Sequence, residues 1–410
     1  MSIVKNTLWN ISGYIIPSLI AIPALGILSR ILGTEQFGLF TLAIALVGYA
    51  SIFDAGLTRA VIREVSIYKN VHKELRAIIS TSTVILTILG LIGGSVLFLS
   101  SNVIVKLLNI NANHVVESVK AIYIISATIP LYLLNQVWLG IFEGMEKFRK
   151  VNLIKSINNS FVAGLPVIFC FFHGGLLSAI YGLVMARVLS LIVTFIFSRK
   201  LIISSGLSVK IVTVKRLIGF GSWITVSNII SPIMTYMDRF ILSHIVGADK
   251  VSFYTAPSEG IQRLTILPSA LSRAIFPRLS SELQSVKQTK ILSYFIMVIG
   301  ILPIVMLIII LSDFIMSAWM GPTYHGTPGI VLKILAIGFF FNCIAQIPFV
   351  SVQASGRSKI TAIIHLLEVI PYLCILYIFI YHWGIVGAAI AWSVRTSLDF
   401  LILLLIDTKY

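Results

Sequence analysis

Charge is what this chain has least of. Charged residues make up 11% of its 410 positions, and acids are the scarcest, with 15 Asp and Glu against 31 Lys and Arg. A soluble domain carries about 25% charged residues, so the shortage excludes a soluble globular protein. Cysteine is nearly missing too. Cys170, Cys343 and Cys374 lie singly inside apolar runs, with no Cys-x-x-Cys pair, which excludes a disulfide framework or a structural zinc site. They read as small buried hydrophobes. No G-x-x-x-x-G-K-S/T loop is present, so the chain has no means of hydrolysing ATP itself. It also lacks a His-Glu-x-x-His motif and a serine-nucleophile elbow, and no metal site is expected. The connections between apolar runs are short, which leaves no room for a catalytic domain outside a membrane. His173, His325 and His382 fall at turns between runs and read as interfacial.

What the chain has in abundance is apolar sequence. Hydrophobic residues make up 58%, and the mean hydropathy is +1.00. A helix needs about 20 apolar residues to cross a bilayer. Such runs predict spans at 8–32, 37–59, 78–105, 116–140, 153–172, 176–198, 217–246, 251–276, 291–312, 329–353, 360–381 and 384–407. The expected fold is an all-α integral membrane protein of about twelve transmembrane helices. The first run is too long and lacks the cleavage site of a secretory leader, so it is expected to be retained.

The formal net charge of +16 is distributed unevenly. Lys5, Arg63, Lys69, Lys73, Arg76, Lys147, Arg149, Lys150, Arg199, Lys200, Lys210, Lys215, Arg216, Arg278, Lys287, Lys290, Arg357, Lys359 and Lys409 fall at the N-terminus, the C-terminus or the connections after even-numbered spans. The alternate connections hold little beyond Lys106 and Lys250. The positive-inside rule then puts both termini in the cytoplasm. Positive charge arranged this way points to membrane lipids and an anionic substrate, not to nucleic acid.

The chain also repeats itself. Residues 27–41 (ILSRILGTEQFGLFT) and 241–255 (ILSHIVGADKVSFYT) match without gaps at an offset of 214. Ile27, Leu28, Ser29, Ile31, Gly33 and Thr41 are identical in the two copies, and Arg59-Ala60 pairs with Arg273-Ala274 at the same offset. Spans one and seven therefore correspond. Six spans separate them, so both halves enter the membrane in the same direction. The expected organisation is two parallel, pseudo-symmetric six-helix lobes around a central cavity. The N-terminal lobe is 1–200, a cytoplasmic linker is 201–216, and the C-terminal lobe is 217–410.

Ionisable groups at bilayer depth are costly and face a cavity or a partner. Arg187, Asp238, Arg239, Glu259, Arg263, Glu368, Arg395 and Asp399 fall deep in predicted spans, and Asp54, Arg59, Lys155 and Arg273 nearer their cytoplasmic ends. The spacing of Glu259 with Arg263, and of Arg395 with Asp399, allows an i,i+4 pair within each helix. Together the seven cations outnumber five acids. A cavity with this balance suits an anion such as a phosphate or pyrophosphate, which Arg holds bidentately. Arg59, Arg187, Arg239, Arg263, Arg273 and Arg395 are the candidate substrate-binding residues. Asp54, Asp238, Glu259 and Glu368 are the candidates for ion coupling. Most of the 13 prolines lie in spans, where kinks suit lobes that rock. The Gly93-Gly94 and Gly219-Gly221 pairs read as close helix packing.

Several segments resemble one family. RILGTEQFGLF (30–40), followed by FDAGLTRAVIRE (53–64), is similar to the opening of Wzx-type polysaccharide flippases, as are WMGPTYHGTPGIVLKILAIG (319–338) and GIVGAAIAW (384–392) to their later spans. Arg30, Gly33, Phe37, Gly38, Asp54, Gly56 and Leu57 carry the motif. The resemblance implies a flippase for undecaprenyl-pyrophosphate-linked oligosaccharide in the bacterial inner membrane. It implies alternating access driven by an H⁺ or Na⁺ gradient, with no cofactor besides that ion and no enzymatic activity. A polysaccharide polymerase and a chain-length regulator are the implied partners. The alternative on the same fold is a cation-coupled small-molecule or multidrug antiporter.

Overall fold

The computed structural model describes residues 3–269, 271–272, 286–355 and 357–409. Side chains are described for these except 3–15, 220–229, 231, 286–287, 358, 362 and 409. The described residues are helical almost throughout. In chain order the helices are α1 (Ile3–Tyr49), α2 (Leu57–Tyr68), α3 (His72–Leu99), α4 (Ser101–Leu107), α5 (Val115–Ser126), α6 (Thr128–Gly144) and α7 (Phe148–Phe172). They continue with α8 (Leu176–Ser205), α9 (Ile211–Val246), α10 (Ser252–Leu264), α11 (Val286–Met320), α12 (Thr327–Ala354) and α13 (Ser358–Lys409).

Eight stretches among the described residues are long and apolar enough to cross a membrane. Two of them are too long to do so once. Ile16–Asp54 has 39 residues and Lys359–Thr408 has 50. At about 1.5 Å per residue these would reach about 58 and 75 Å, far beyond a hydrocarbon core of about 30 Å. Each bends at a glycine, at Gly33 (φ 71°, ψ 175°) and at Gly384 (φ 56°, ψ −129°). The eight stretches thus supply ten crossings. These ten are counted among the described residues and agree with about twelve expected from hydropathy, and the chain is a multi-pass membrane protein. On α11 the outward side chains are Ile291, Phe295, Ile299, Leu302, Met306 and Ile310, spaced three or four apart and all exposed. An exposed apolar stripe of this length belongs against lipid.

The internal repeat has a structural basis. Residues 27–31 and 241–245 show the same burial pattern, with Leu28/Leu242 and Ser29/Ser243 buried and Arg30/His244 exposed. Phe40/Tyr254 and Thr41/Thr255 are buried as well. Gly247 (φ 108°, ψ 148°) reproduces the left-handed, extended turn of Gly33. A Cβ added at Gly33 would meet nothing within 4 Å, so glycine stands there for its backbone and not for space.

Some predicted boundaries move. Span two was expected to run to residue 59, but its helix ends at Tyr49, passes through a 3₁₀ turn at Ala50–Asp54 and restarts at Leu57. Ala55 (φ 47°) and Gly56 (φ 71°) force the break. The span expected at 78–105 instead begins at His72 and ends at Leu99, with α4 separate. Close packing holds at Gly93 and Gly94, where an added Cβ would strike the Phe53 ring at 2.7 Å and the Ser126 carbonyl at 2.8 Å. At Gly219 it would meet nothing within 4 Å, so packing does not explain that residue.

The chain falls into two compact units, Met1–Met237 and Asp238–Tyr410. The division lies within α9, beyond the expected linker at 201–216. The start of α9 belongs to the first unit because Leu217 joins a buried core with Leu57, Val61, Ile78 and Val137.

The turn glycines should be more sensitive than helical ones. Gly33→Ala and Gly247→Ala should each cost about 1–2 kcal/mol, and Gly300→Ala, in open space inside α11, should leave stability unchanged or slightly raised. Thermal unfolding of the purified variants measures this. Equal effects at all three positions would contradict the turn assignment.

Candidate functional site

In the second unit, buried charges form a connected set. Arg239 is 1% exposed, and its Nη2 lies 2.7 Å from Glu259 Oε1. Arg263 Nη2 reaches the other oxygen of Glu259 at 3.4 Å. The i,i+4 contact expected within α10 therefore exists, but the tighter partner of Glu259 comes from α9. Asp238 is buried beside this pair. It accepts a hydrogen bond from the Tyr254 hydroxyl at 2.6 Å and another from the Arg239 amide at 2.8 Å. Removing one member of such a buried pair strands the other, at a cost of about 3–5 kcal/mol.

Arg395 is arranged differently. Its guanidinium lies over the Tyr372 ring, 5.1 Å from the centroid, within electrostatic reach of Asp238 and Asp399. The i,i+4 ion pair expected with Asp399 is not made within 4.0 Å. Asp399 turns instead to Glu368, the two carboxyl groups lying within hydrogen-bonding reach. His365 Nδ1 is 3.7 Å from Glu368 Oε2. One ligand atom each from His365, Glu368 and Asp399 lies within 4.8 Å of the others. Glu368 Oε1 and Asp399 Oδ1 are buried without a donor. Two carboxyl groups in contact away from water cannot both carry an unshared charge. Such a cluster can hold a proton or a small cation. His365, one turn before Glu368, went unremarked in the sequence, although its i,i+3 spacing was there to read.

In the first unit, Arg187 on α8 lies over the Tyr132 ring, 5.0 Å from the centroid, with Tyr236 also in electrostatic reach. Among the described residues it makes no ion pair, and its Nε is buried without a partner. Asp54 is occupied locally. Its Oδ1 accepts from the Thr58 amide at 3.1 Å and from the Thr58 hydroxyl at 2.6 Å, which caps the first turn of α2. That arrangement gives the Asp-Ala-Gly-Leu motif a structural task, with Gly56 making the turn and Asp54 holding it. Arg59 is exposed. Lys155 pairs with Glu143 at 2.5 Å. Arg273 lies outside the described residues. Asn135, Asn158 and Thr194 form a buried hydrogen-bonded trio that joins α6, α7 and α8, with Asn158 Oδ1 left without a partner.

A family model described as "Polysaccharide biosynthesis protein" matches residues 3–284. A Shigella flexneri protein named "Putative O-antigen transporter" is 47% identical over 411 residues, covering 100% of this chain and 98% of its own. The chain belongs to the polysaccharide biosynthesis protein family. A further relative, "Lipopolysaccharide biosynthesis protein WzxC" of Escherichia coli K12, is 21% identical over 99% of this chain and 79% of its own length. Among solved structures, the lipid II flippase MurJ in an inward closed conformation matches with a TM-score of 0.81 at 15% identity, over 99% of this chain and 88% of that one. An inward-facing multidrug resistance MATE transporter of the MOP superfamily matches with a TM-score of 0.79 at 15% identity, over 98% and 97%. At such identities the structures speak for the fold alone, which is the twelve-helix, two-lobe arrangement expected from the repeat. The matched region holds Asp54, Arg59, Arg187, Asp238, Arg239, Glu259, Arg263 and Arg273, whereas Glu368, Arg395 and Asp399 lie beyond it.

The cap can be separated from a transport role. Asp54→Asn keeps an acceptor for Thr58 and should retain near-normal protein levels and function, whereas Asp54→Ala should lose about 1 kcal/mol of stability. Normal levels of Asp54→Asn with function abolished would contradict the capping role.

Proposed function

We propose that this protein moves undecaprenyl-pyrophosphate-linked oligosaccharide from the cytoplasmic to the outer leaflet of the bacterial inner membrane for surface polysaccharide synthesis. Both termini lie in the cytoplasm in this reading, as the Lys and Arg asymmetry requires. The full-length 47% identity to the Shigella protein supports it. The structural observations that carry it are Arg187 in the first unit and Arg395 in the second, each taken by itself. Each sits in the last span of its half and stacks on a tyrosine, and neither has a carboxylate within 4.0 Å among the described residues. A guanidinium at bilayer depth with no carboxylate in contact is costly. A pyrophosphate headgroup entering the protein supplies the missing charge. Arg239 and Arg263 share Glu259 and contribute a smaller net positive field.

The substrate cycle runs by alternating access and is driven by an ion. The His365–Glu368–Asp399 cluster is the coupling site in this reading, taking up H⁺ or Na⁺ in one state and releasing it in the other. Of the four acids singled out from the sequence, Glu368 fits this role. Asp54 and Asp238 are engaged by hydrogen bonds and Glu259 by two arginines. Polysaccharide polymerase and a chain-length regulator act on the flipped product and are the partners of this reading.

Complementation of a flippase-deficient strain tests both roles. Arg187→Gln with Arg395→Gln should abolish surface polysaccharide while the protein remains in the membrane. Glu368→Gln with Asp399→Asn should lose gradient-driven transport but retain binding of the lipid-linked substrate. Full complementation by the arginine double variant would overturn the anion reading. Normal polysaccharide in a deletion strain that becomes drug-sensitive would favour the antiporter.

A further inference from the structure

A second cationic site lies apart from Arg187 and Arg395, at the end of α8 and on the segment that follows it. A pocket of about 560 Å³ is formed where α3 begins, α8 ends and the following segment turns back. His72, Lys73, Arg76 and Lys210 line it together with Ser205 and Ser208. None of the four basic residues makes an ion pair among the described residues. The nearby acids are taken, because Glu74 lies 2.6 Å from Arg216 and Glu64 lies 3.4 Å from the same side chain.

The pocket wall is built and held in place. Gly206 (φ 67°) turns the chain out of α8. Ser80 Oγ donates to the Ser208 carbonyl at 2.7 Å and accepts from the Ser208 amide. Thr81 Oγ1 accepts from the Lys210 amide at 3.2 Å. The connection is thus pinned to α3 by two side chains that are themselves buried. The basic residues are set around a fixed backbone.

A second observation separates this pocket from an ordinary basic surface. The residues flanking the pocket in sequence are apolar and strongly exposed. Ile203 is 70% exposed, Leu207 79%, Val209 51% and Ile211 71%, with Val71 beside His72 at 49%. Free phosphate or nucleic acid has nothing to offer these side chains. A phospholipid has both complements, since its phosphate meets the cations and its acyl chains meet the apolar residues. The pocket also lies at the ends of two membrane spans, α3 and α8, where headgroups are.

We propose that this pocket binds the headgroup of an anionic bilayer phospholipid, with the apolar residues of 203–212 inserted among the acyl chains. The lipid fastens the segment that follows α8 onto α3. This site is independent of the flippase reading and of the arginines inside the spans.

The test uses the purified full-length protein and reads binding by native mass spectrometry and thermal shift. Phosphatidylglycerol is the probe, with phosphatidylcholine, inorganic phosphate and undecaprenyl pyrophosphate as comparisons. Phosphatidylglycerol should bind and stabilise, and phosphatidylcholine should not. Lys73→Gln, Arg76→Gln and Lys210→Gln together should weaken phosphatidylglycerol binding about 10- to 100-fold. These residues are exposed, so the variant should fold. Leu207→Ser with Val209→Ser should weaken phosphatidylglycerol binding and leave any response to inorganic phosphate unchanged. Equal binding of phosphatidylcholine, an undiminished response in the triple variant, or equal stabilisation by inorganic phosphate would each overturn the proposal. Binding of undecaprenyl pyrophosphate in place of phosphatidylglycerol would also overturn it, and would make the pocket a substrate-docking site.

Discussion

An ionised side chain at bilayer depth must be answered by another group, and that requirement orders the interior of this protein. Water is not there to solvate it, and a stranded charge costs several kcal/mol. The second unit answers nearly every charge from within. Arg239 and Arg263 share Glu259, Tyr254 holds Asp238, and Glu368 and Asp399 stand together beside His365, where they can share a proton or a cation. Arg187 and Arg395 are answered only by tyrosine rings and more distant charge. The contrast separates charges in contact with a partner from two guanidiniums that touch no carboxylate among the described residues.

The bilayer sets the backbone as firmly as it sets the charges. Its thickness caps the length of a crossing, so the long helical runs α1 and α13 must bend, and they bend at glycines whose backbone angles other residues rarely adopt. The same turn recurs at Gly247, 214 positions after Gly33, within two segments of matching burial. The repeat is therefore a repeat of packing as well as of sequence, with Leu28/Leu242, Ser29/Ser243 and Thr41/Thr255 buried in both copies and the exposed pair Arg30 and His244 different.

Much of the fold was legible because hydropathy and glycine placement report on the bilayer directly. Twelve crossings, two halves and the Gly33 and Gly247 turns could all be read from residue order. The break after Tyr49 was not, since Ala50–Phe53 is apolar enough to continue a span, and the left-handed pair Ala55-Gly56 that follows Asp54 keeps the helix from resuming before Leu57. The site was less legible. Depth identified the charged residues but not their partners. Spacing pointed to Arg263 for Glu259 and to Asp399 for Arg395. In three dimensions Arg239, twenty residues away, is the closer partner of Glu259, and Asp399 faces Glu368. Pairing across helices depends on how they cross, which local spacing does not encode. The Asp54 cap was hidden for the opposite reason. Its partner is only four residues away, and residue order does not show whether a carboxylate near the end of a span turns back on its own backbone or faces a cavity.

The central claim is that intramembrane arginines left without carboxylate partners hold an anionic headgroup. The direct measurement is the affinity of the purified protein for undecaprenyl pyrophosphate compared with undecaprenol, in the parent and in Arg187→Gln with Arg395→Gln. The account predicts that the parent prefers the pyrophosphate lipid by about 10-fold or more, as expected for a charge-assisted contact to a guanidinium, and that the variant loses most of that preference. Equal affinity of the parent for the two lipids, or an unchanged preference in the variant, would contradict it.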